Sequence, residues 1–151
     1  MKKFVLFIIM CYAKVSFGQI LHPLEAKDTT NIYYQGLLMH IKKNTNLSRL
    51  YVKETASITD DLPLKMGAVD IIYLTNDDLH KTIKPKKSIY VVSIQPIDGN
   101  LDKLTLRIND YSITKKGHSL NYGYTSGTLF IIEKTCNDRK YRIQILQNSA
   151  L

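Results

Sequence analysis

The chain has 151 residues, 21 Lys+Arg against 13 Asp+Glu for a formal net charge of +8, two cysteines and no tryptophan. That length supports one domain with a real core and excludes two. The basic residues are scattered as Lys42-Lys43, Lys86-Lys87, Lys115-Lys116 and Arg139-Lys140. A nucleic-acid binder gathers its charge on one face or motif, so these pairs read as solvated loop and helix ends, and no nucleic-acid partner is expected. Attraction to an anionic envelope or polysaccharide is the alternative.

The opening, MKKFVLFIIMCYAKVSFGQ, has the form of a signal peptide. Lys2 and Lys3 make a positive start, and Phe4 to Ala13 is an apolar run too short to span a bilayer. Ser16 and Gly18 put small side chains three residues and one residue before a cut, which predicts cleavage between Gly18 and Gln19. The other reading is a buried N-terminal strand or helix, and Lys14 is awkwardly placed for a signal. A lipid anchor on Cys11 needs a small residue before it. Met10 stands there, so a free secreted or periplasmic protein is expected, with no membrane span once the signal is gone. Without its three lysines the charge of +8 falls to +5, on a domain spanning 19–151. Cys136 is then alone and no internal disulfide can form. It is expected as a small half-buried side chain, with only Lys134 and Arg139 as neighbours that would favour a thiolate.

Within the mature chain, Asp28-Thr29-Thr30-Asn31 is a cluster of helix-capping residues. Tyr34, Leu37, Leu38 and Ile41 follow at helical spacing, Lys42-Lys43 suit the negative end of the dipole, and Asn44-Thr45-Asn46 ends the run. Gly36 inside it costs about 1 kcal/mol relative to Ala and marks a close approach, most simply core packing. Arg49 to Lys53 reads as a short strand, Thr55 to Lys65 as a loop, and Ala68 to Leu74 as a second strand. Thr75-Asn76-Asp77-Asp78 caps a short helix reaching Thr82. Ser88 to Ile97 is a strand and Asp98-Gly99-Asn100 a turn.

Leu104, Leu106 and Ile108 then alternate with Thr105 and Arg107. Tyr111 and Ile113 fall out of phase with them, which predicts a β-bulge or bend at Asn109-Asp110. Gly127 to Thr135 and Arg139 to Gln147 are two further strands around a hairpin at Cys136-Asn137-Asp138. The pattern is α+β, with one long N-terminal helix packed on a curved antiparallel sheet of about four to six strands.

That order of elements resembles the cystatin-like and nuclear-transport-factor-like superfold. The ending Gly127-Thr128-Leu129-Phe130-Ile131-Ile132-Glu133-Lys134-Thr135-Cys136-Asn137-Asp138-Arg139-Lys140-Tyr141, with the Gly18-Gln19 junction, resembles small secreted proteins of Bacteroidetes-type bacteria, a group with no characterised activity. The resemblance implies the compartment and the fold and carries over no catalytic residue. Enzymes of the superfold use an Asp or His acid–base pair in a pocket under the helix. Here the helix offers Tyr33, Tyr34 and His40.

Asp60-Asp61 and Asp77-Asp78 suit turn and cap duty better than cation binding. His22, His40, His80 and His118 show no metal spacing and read as exposed or loop residues, so neither metal nor cofactor is expected. Asn121-Tyr122-Gly123-Tyr124-Thr125-Ser126-Gly127-Thr128 is neither a phosphate loop nor a nucleophile elbow. It reads either as a wide hairpin connection or as an aromatic recognition loop, with Tyr122 and Tyr124 as the contact area and Asn121 and Ser126 beside them. Asp28-Thr29-Thr30 resembles an O-glycosylation site of Bacteroidetes-type envelope proteins, with Thr29 as acceptor, although capping explains it without sugar. Asn46-Leu47-Ser48 is formally an N-glycosylation triplet.

The expected function is a non-enzymatic binding protein for an envelope protein or glycan. The alternatives are a small-molecule pocket with weak hydrolase or isomerase activity, and a homodimer formed through the sheet.

Overall fold

The computed structural model describes residues 22–44, 47–100, 103–134 and 141–150. Helix α1 spans Ile32–Lys43 because Asn31 caps it. The Asn31 Oδ1 accepts from the Tyr33 and Tyr34 N–H groups at 2.9 and 3.2 Å, satisfying donors that have no partner inside the helix. Its inner face is Gly36, Leu37, His40 and Ile41. A Cβ on Gly36 would lie 2.5 Å from Leu106 Cδ2, so glycine is what lets the helix seat against the sheet.

The strands follow as β1 (Arg49–Lys53), β2 (Lys65–Met66), β3 (Val69–Leu74), β4 (Ser88–Ile94), β5 (Asp98–Asn100), β6 (Lys103–Lys116), β7 (Ser119–Lys134) and β8 (Tyr141–Ala150). The second helix, α2 (Asn76–Thr82), lies between β3 and β4. A complete capping box starts it: Thr75 Oγ1 accepts from the Asp78 N–H at 3.1 Å, and the Asp78 carboxylate accepts from the Thr75 N–H at 3.2 Å. All eight strands form one sheet in the order β2-β3-β1-β4-β6-β7-β8, with β5 beside β6. Most neighbours are antiparallel, but β1 runs parallel to both β3 and β4.

The α+β class and an antiparallel-rich sheet are therefore present. The expectation of one long N-terminal helix on an antiparallel sheet of four to six strands is corrected. The N-terminal helix has 12 residues, and the sheet has eight strands with parallel pairs among them. The Asn31 cap and the stripe from Tyr34 to Ile41 support only about three turns of helix. The strands β2 and β5, with two and three residues, are too short to show a period of two in the sequence.

Two cores lie on opposite faces of the sheet. Under α1, Leu37 and Ile41 meet Leu50, Val52, Ile71, Val92, Ile94, Leu106, Ile108, Phe130 and Ile132. On the other face, α2 brings Leu79, with Ile83 just beyond it, onto Leu74, Val91 and Ile113. This division explains the phase slip in β6. The strand keeps its alternation, and its two halves bury opposite sides: Leu104, Leu106 and Ile108 toward α1, Tyr111 and Ile113 toward the α2 core. The register shift falls between Asp110 and Tyr111, beside the expected Asn109-Asp110. Asp110 pairs with Ser126 and Tyr111 with Tyr124, so the extra residue is Thr125 on β7. The stretch Asn121 to Thr128 is thus strand interior and not a hairpin connection. The expected hairpin at 136–138 lies outside the described residues.

Candidate functional site

Two clusters of polar and aromatic side chains gather at the Thr125 bulge, one on each face of the sheet. On the α1 side, His40 is 3% exposed. Its Nε2 lies 2.9 Å from Asp110 Oδ1 and its Nδ1 lies 3.1 Å from Thr128 Oγ1. Ser126 Oγ donates to the other carboxylate oxygen of Asp110 in a short contact. Lys43 Nζ donates to Thr128 Oγ1 at 3.3 Å, and Thr125 Oγ1 to the Asp110 carbonyl at 3.0 Å.

Burial alone would raise the Asp110 carboxyl. Hydrogen bonds from His40 and Ser126, with His40 and Lys43 as nearby charge, outweigh it and hold the group below the usual carboxylate value. Desolvation lowers the Lys43 ammonium against the opposing pull of Asp110. A histidine and an aspartate do therefore meet under the helix, but the imidazole is too buried to reach a substrate. Ser126 bonds to the carboxylate and not to the imidazole, so the nucleophile–base contact of covalent catalysis is missing. The cluster is a polar clip joining α1 to β6 and β7.

On the opposite face the bulge turns Tyr122 and Tyr124 outward beside Tyr111. The Tyr111–Tyr122 and Tyr111–Tyr124 ring centroids are 6.0 and 6.1 Å apart at 85° and 77°, the edge-to-face arrangement that aromatic quadrupoles favour. Tyr122 is 41% exposed and Tyr124 37%. Lys53 Nζ stands 5.5 Å from the Tyr122 ring centroid, within cation–π range. A Cβ on Gly127 would come within 2.8 Å of the Tyr124 hydroxyl, 2.9 Å of Asn109 Oδ1 and 3.1 Å of the Ile108 carbonyl oxygen, so a side chain there would displace Tyr124 and Asn109 and press on the β6 backbone. Beside these rings a depression of about 240 Å³ is lined by Lys53, Ser93, Gln95, Tyr111 and Tyr122 over Val91 and Ile113. Partial burial pushes the Tyr122 hydroxyl above its ordinary pKa.

The four expected contact residues are thus divided. Tyr122 and Tyr124 share the open face. Ser126 belongs to the clip beneath α1, and strand alternation puts the exposed Asn121 on the side away from Tyr122. Thr29 sits in the exposed turn before α1, and its carbonyl accepts from Gln35 Nε2 at 3.3 Å. Asp28 accepts from the Thr30 N–H and hydroxyl at 2.8 and 2.6 Å, which lowers its pKa, while the cap itself is Asn31. Gly18, Gln19, Cys11 and Cys136 lie outside the described residues.

Reading His40 as an exposed or loop histidine is corrected by its burial. The signal was present, since His40 follows Leu37 by three positions and so falls on the inner face of the helix. Asp110 likewise falls two residues after Ile108 on the α1-facing side of β6. Tyr111 and Lys53 carried no sequence signal as members of a binding face. His22 stacks on Tyr73 at 3.8 Å, with its Nδ1 3.3 Å from the Leu62 carbonyl oxygen. Asp60 accepts from the Ser57 N–H at 3.1 Å, which is turn duty. Among the described residues no three His, Cys, Asp or Glu side chains converge as a metal site requires, and no helix is long and apolar enough to cross a membrane. No protein-family model matches the chain, and neither does a curated protein or a solved structure.

Proposed function

We propose that this is a secreted or periplasmic binding protein that holds a glycan on the open sheet face around Tyr111, Tyr122 and Tyr124. The observation that carries the reading is the edge-to-face tyrosine trio beside a depression whose rim holds Ser93, Gln95 and Lys53. Aromatic faces offer broad, rigid contact area to the C–H faces of sugar rings, and the polar rim supplies hydrogen-bond partners for hydroxyls. The interior place of β4, β6 and β7 in the sheet keeps that platform stiff.

Glycan-array screening followed by calorimetry tests this. Tyr122→Ala/Tyr124→Ala is expected to weaken the best glycan at least tenfold, the equivalent of about 1.4 kcal/mol, with the far-ultraviolet circular dichroism unchanged. Equal binding by the folded variant removes the tyrosine face from consideration. The secretory part of the proposal has its own check. Protein recovered from the envelope or medium is expected to begin at Gln19 by mass spectrometry, and an intact Met1 would overturn the cleavage.

A further inference from the structure

Gln95 lines more than the tyrosine depression. A second one of about 420 Å³, lined by Gln95, Pro96, Ile97, Asp98, Thr105 and Arg107, begins at the same glutamine. The two share Gln95 as a wall residue and so adjoin. The register puts them on one face: Gln95 N–H donates to the Arg107 carbonyl at 2.9 Å, Ser93 pairs with Asn109, and Val91 with Tyr111. Residues 91, 93 and 95 and residues 107, 109 and 111 then point to the same side of the sheet.

The charge along this groove is lopsided. Lys53 stands at the tyrosine end and Arg107 at the other, and neither makes an ion pair with a described residue. Among the described residues Asp98 is the single acidic residue lining the two depressions, and its Oδ1 accepts from the Gly99 N–H at 2.8 Å, so two cations face one carboxylate along the groove. Lys53 follows Val52, which pairs with Val92, so it neighbours Ser93. Arg107 lies one strand further over and one pleat along, which places the two Cα atoms about 12 Å apart by strand geometry. A short oligosaccharide spans that separation.

Resting on the glycan-binding reading, we infer that the ligand is a uronic-acid oligosaccharide lying along this groove. A sugar ring stacks against Tyr111 and Tyr122, hydroxyls meet Ser93 and Gln95, and the carboxylates meet Lys53 and Arg107. An extended acidic peptide fits less well. The tyrosine end of the groove lies on β1, β4, β6 and β7, which are inside the sheet, so a peptide cannot add there as a further strand, and only the Asp98 end reaches the three-residue strand β5.

The test compares galacturonate, mannuronate and glucuronate tetrasaccharides with the same compounds after carboxyl reduction, using calorimetry at low and high salt. At least one acidic tetrasaccharide is expected to bind tenfold or more tighter than its reduced form, with the difference shrinking at high salt. Lys53→Gln and Arg107→Gln are each expected to cut binding of the acidic form by a several-fold larger factor than binding of the reduced form. Equal binding of acidic and reduced forms, still lost in Tyr122→Ala/Tyr124→Ala, overturns the acidic ligand and leaves the glycan reading standing. Binding by no tetrasaccharide in either form overturns the uronic-acid ligand, and the absence of any hit on the glycan array overturns the glycan reading. Polyglutamate binding as tightly as the best uronate, and indifferent to the tyrosines, also overturns the inference.

Discussion

Asp110→Ala is expected to lower the free energy of unfolding by about 3 kcal/mol at neutral pH. The substitution leaves His40, 3% exposed on the inner face of α1, without the carboxylate 2.9 Å from its Nε2. It also strips Ser126 of its acceptor. Removing one partner of a buried, charge-assisted pair costs more than the pair contributes in net terms, because the remaining polar groups stay desolvated. Chemical denaturation of wild type and variant at pH 7 measures the loss.

The pH dependence follows from the same carboxyl. Its folded-state pKa lies below the unfolded value of about 3.9. The stability it contributes is therefore fully present above about pH 4 and is lost as the pH falls through the folded-state value. The gap between wild type and Asp110→Ala is expected to narrow below about pH 4. A gap that stays constant from pH 7 to pH 3 would show that the ionised carboxylate is not what holds the clip.

Deleting Thr125 is expected to be still more damaging, at several kcal/mol. Thr125 is the one extra residue of β7 at the bulge. Without it, the chain from Leu120 to Tyr124 shifts by one position and every side chain changes face. Leu120, partly buried against the α2 core, leaves it, and burying about half a leucine side chain is worth about 1 kcal/mol. Tyr122 and Tyr124 leave the open face, and the edge-to-face contacts with Tyr111 go with them. Near-ultraviolet tyrosine dichroism, thermal midpoint and glycan binding are all expected to fall together. Thr125→Ala is the control, since it keeps the residue and loses only the hydroxyl contact to the Asp110 carbonyl, about 1 kcal/mol. If the deletion proves as mild as the alanine, the bulge does not set which way the tyrosines face.

These two changes touch what was hardest to see in the chain. The phase slip between Ile108 and Tyr111 signalled a fault in the pattern, and a bulge does lie beside it. The slip itself, however, comes from a strand that serves two cores on opposite faces. The displaced residue sits 15 positions away, on the partner strand. His40 and Asp110 each occupied an inward position of a periodic pattern, yet 70 residues separate them. Neither pattern alone says that the other exists. The aromatic segment 121–128 drew notice for its composition, but composition could not divide Tyr122 and Tyr124 from Ser126.

What the sequence by itself determined was local. The start of α1 at a capping cluster, the Thr75–Asp78 box that opens α2, and strands β1, β3 and β4 were legible because a few adjacent residues decide them. Only the tertiary structure decided the strand order, the parallel pairing of β1, the length of sheet built from very short strands, and the face given to each half of β6 and β7. Those outcomes depend on which distant surfaces bury one another, and burial of that kind leaves no mark within any short window of the chain.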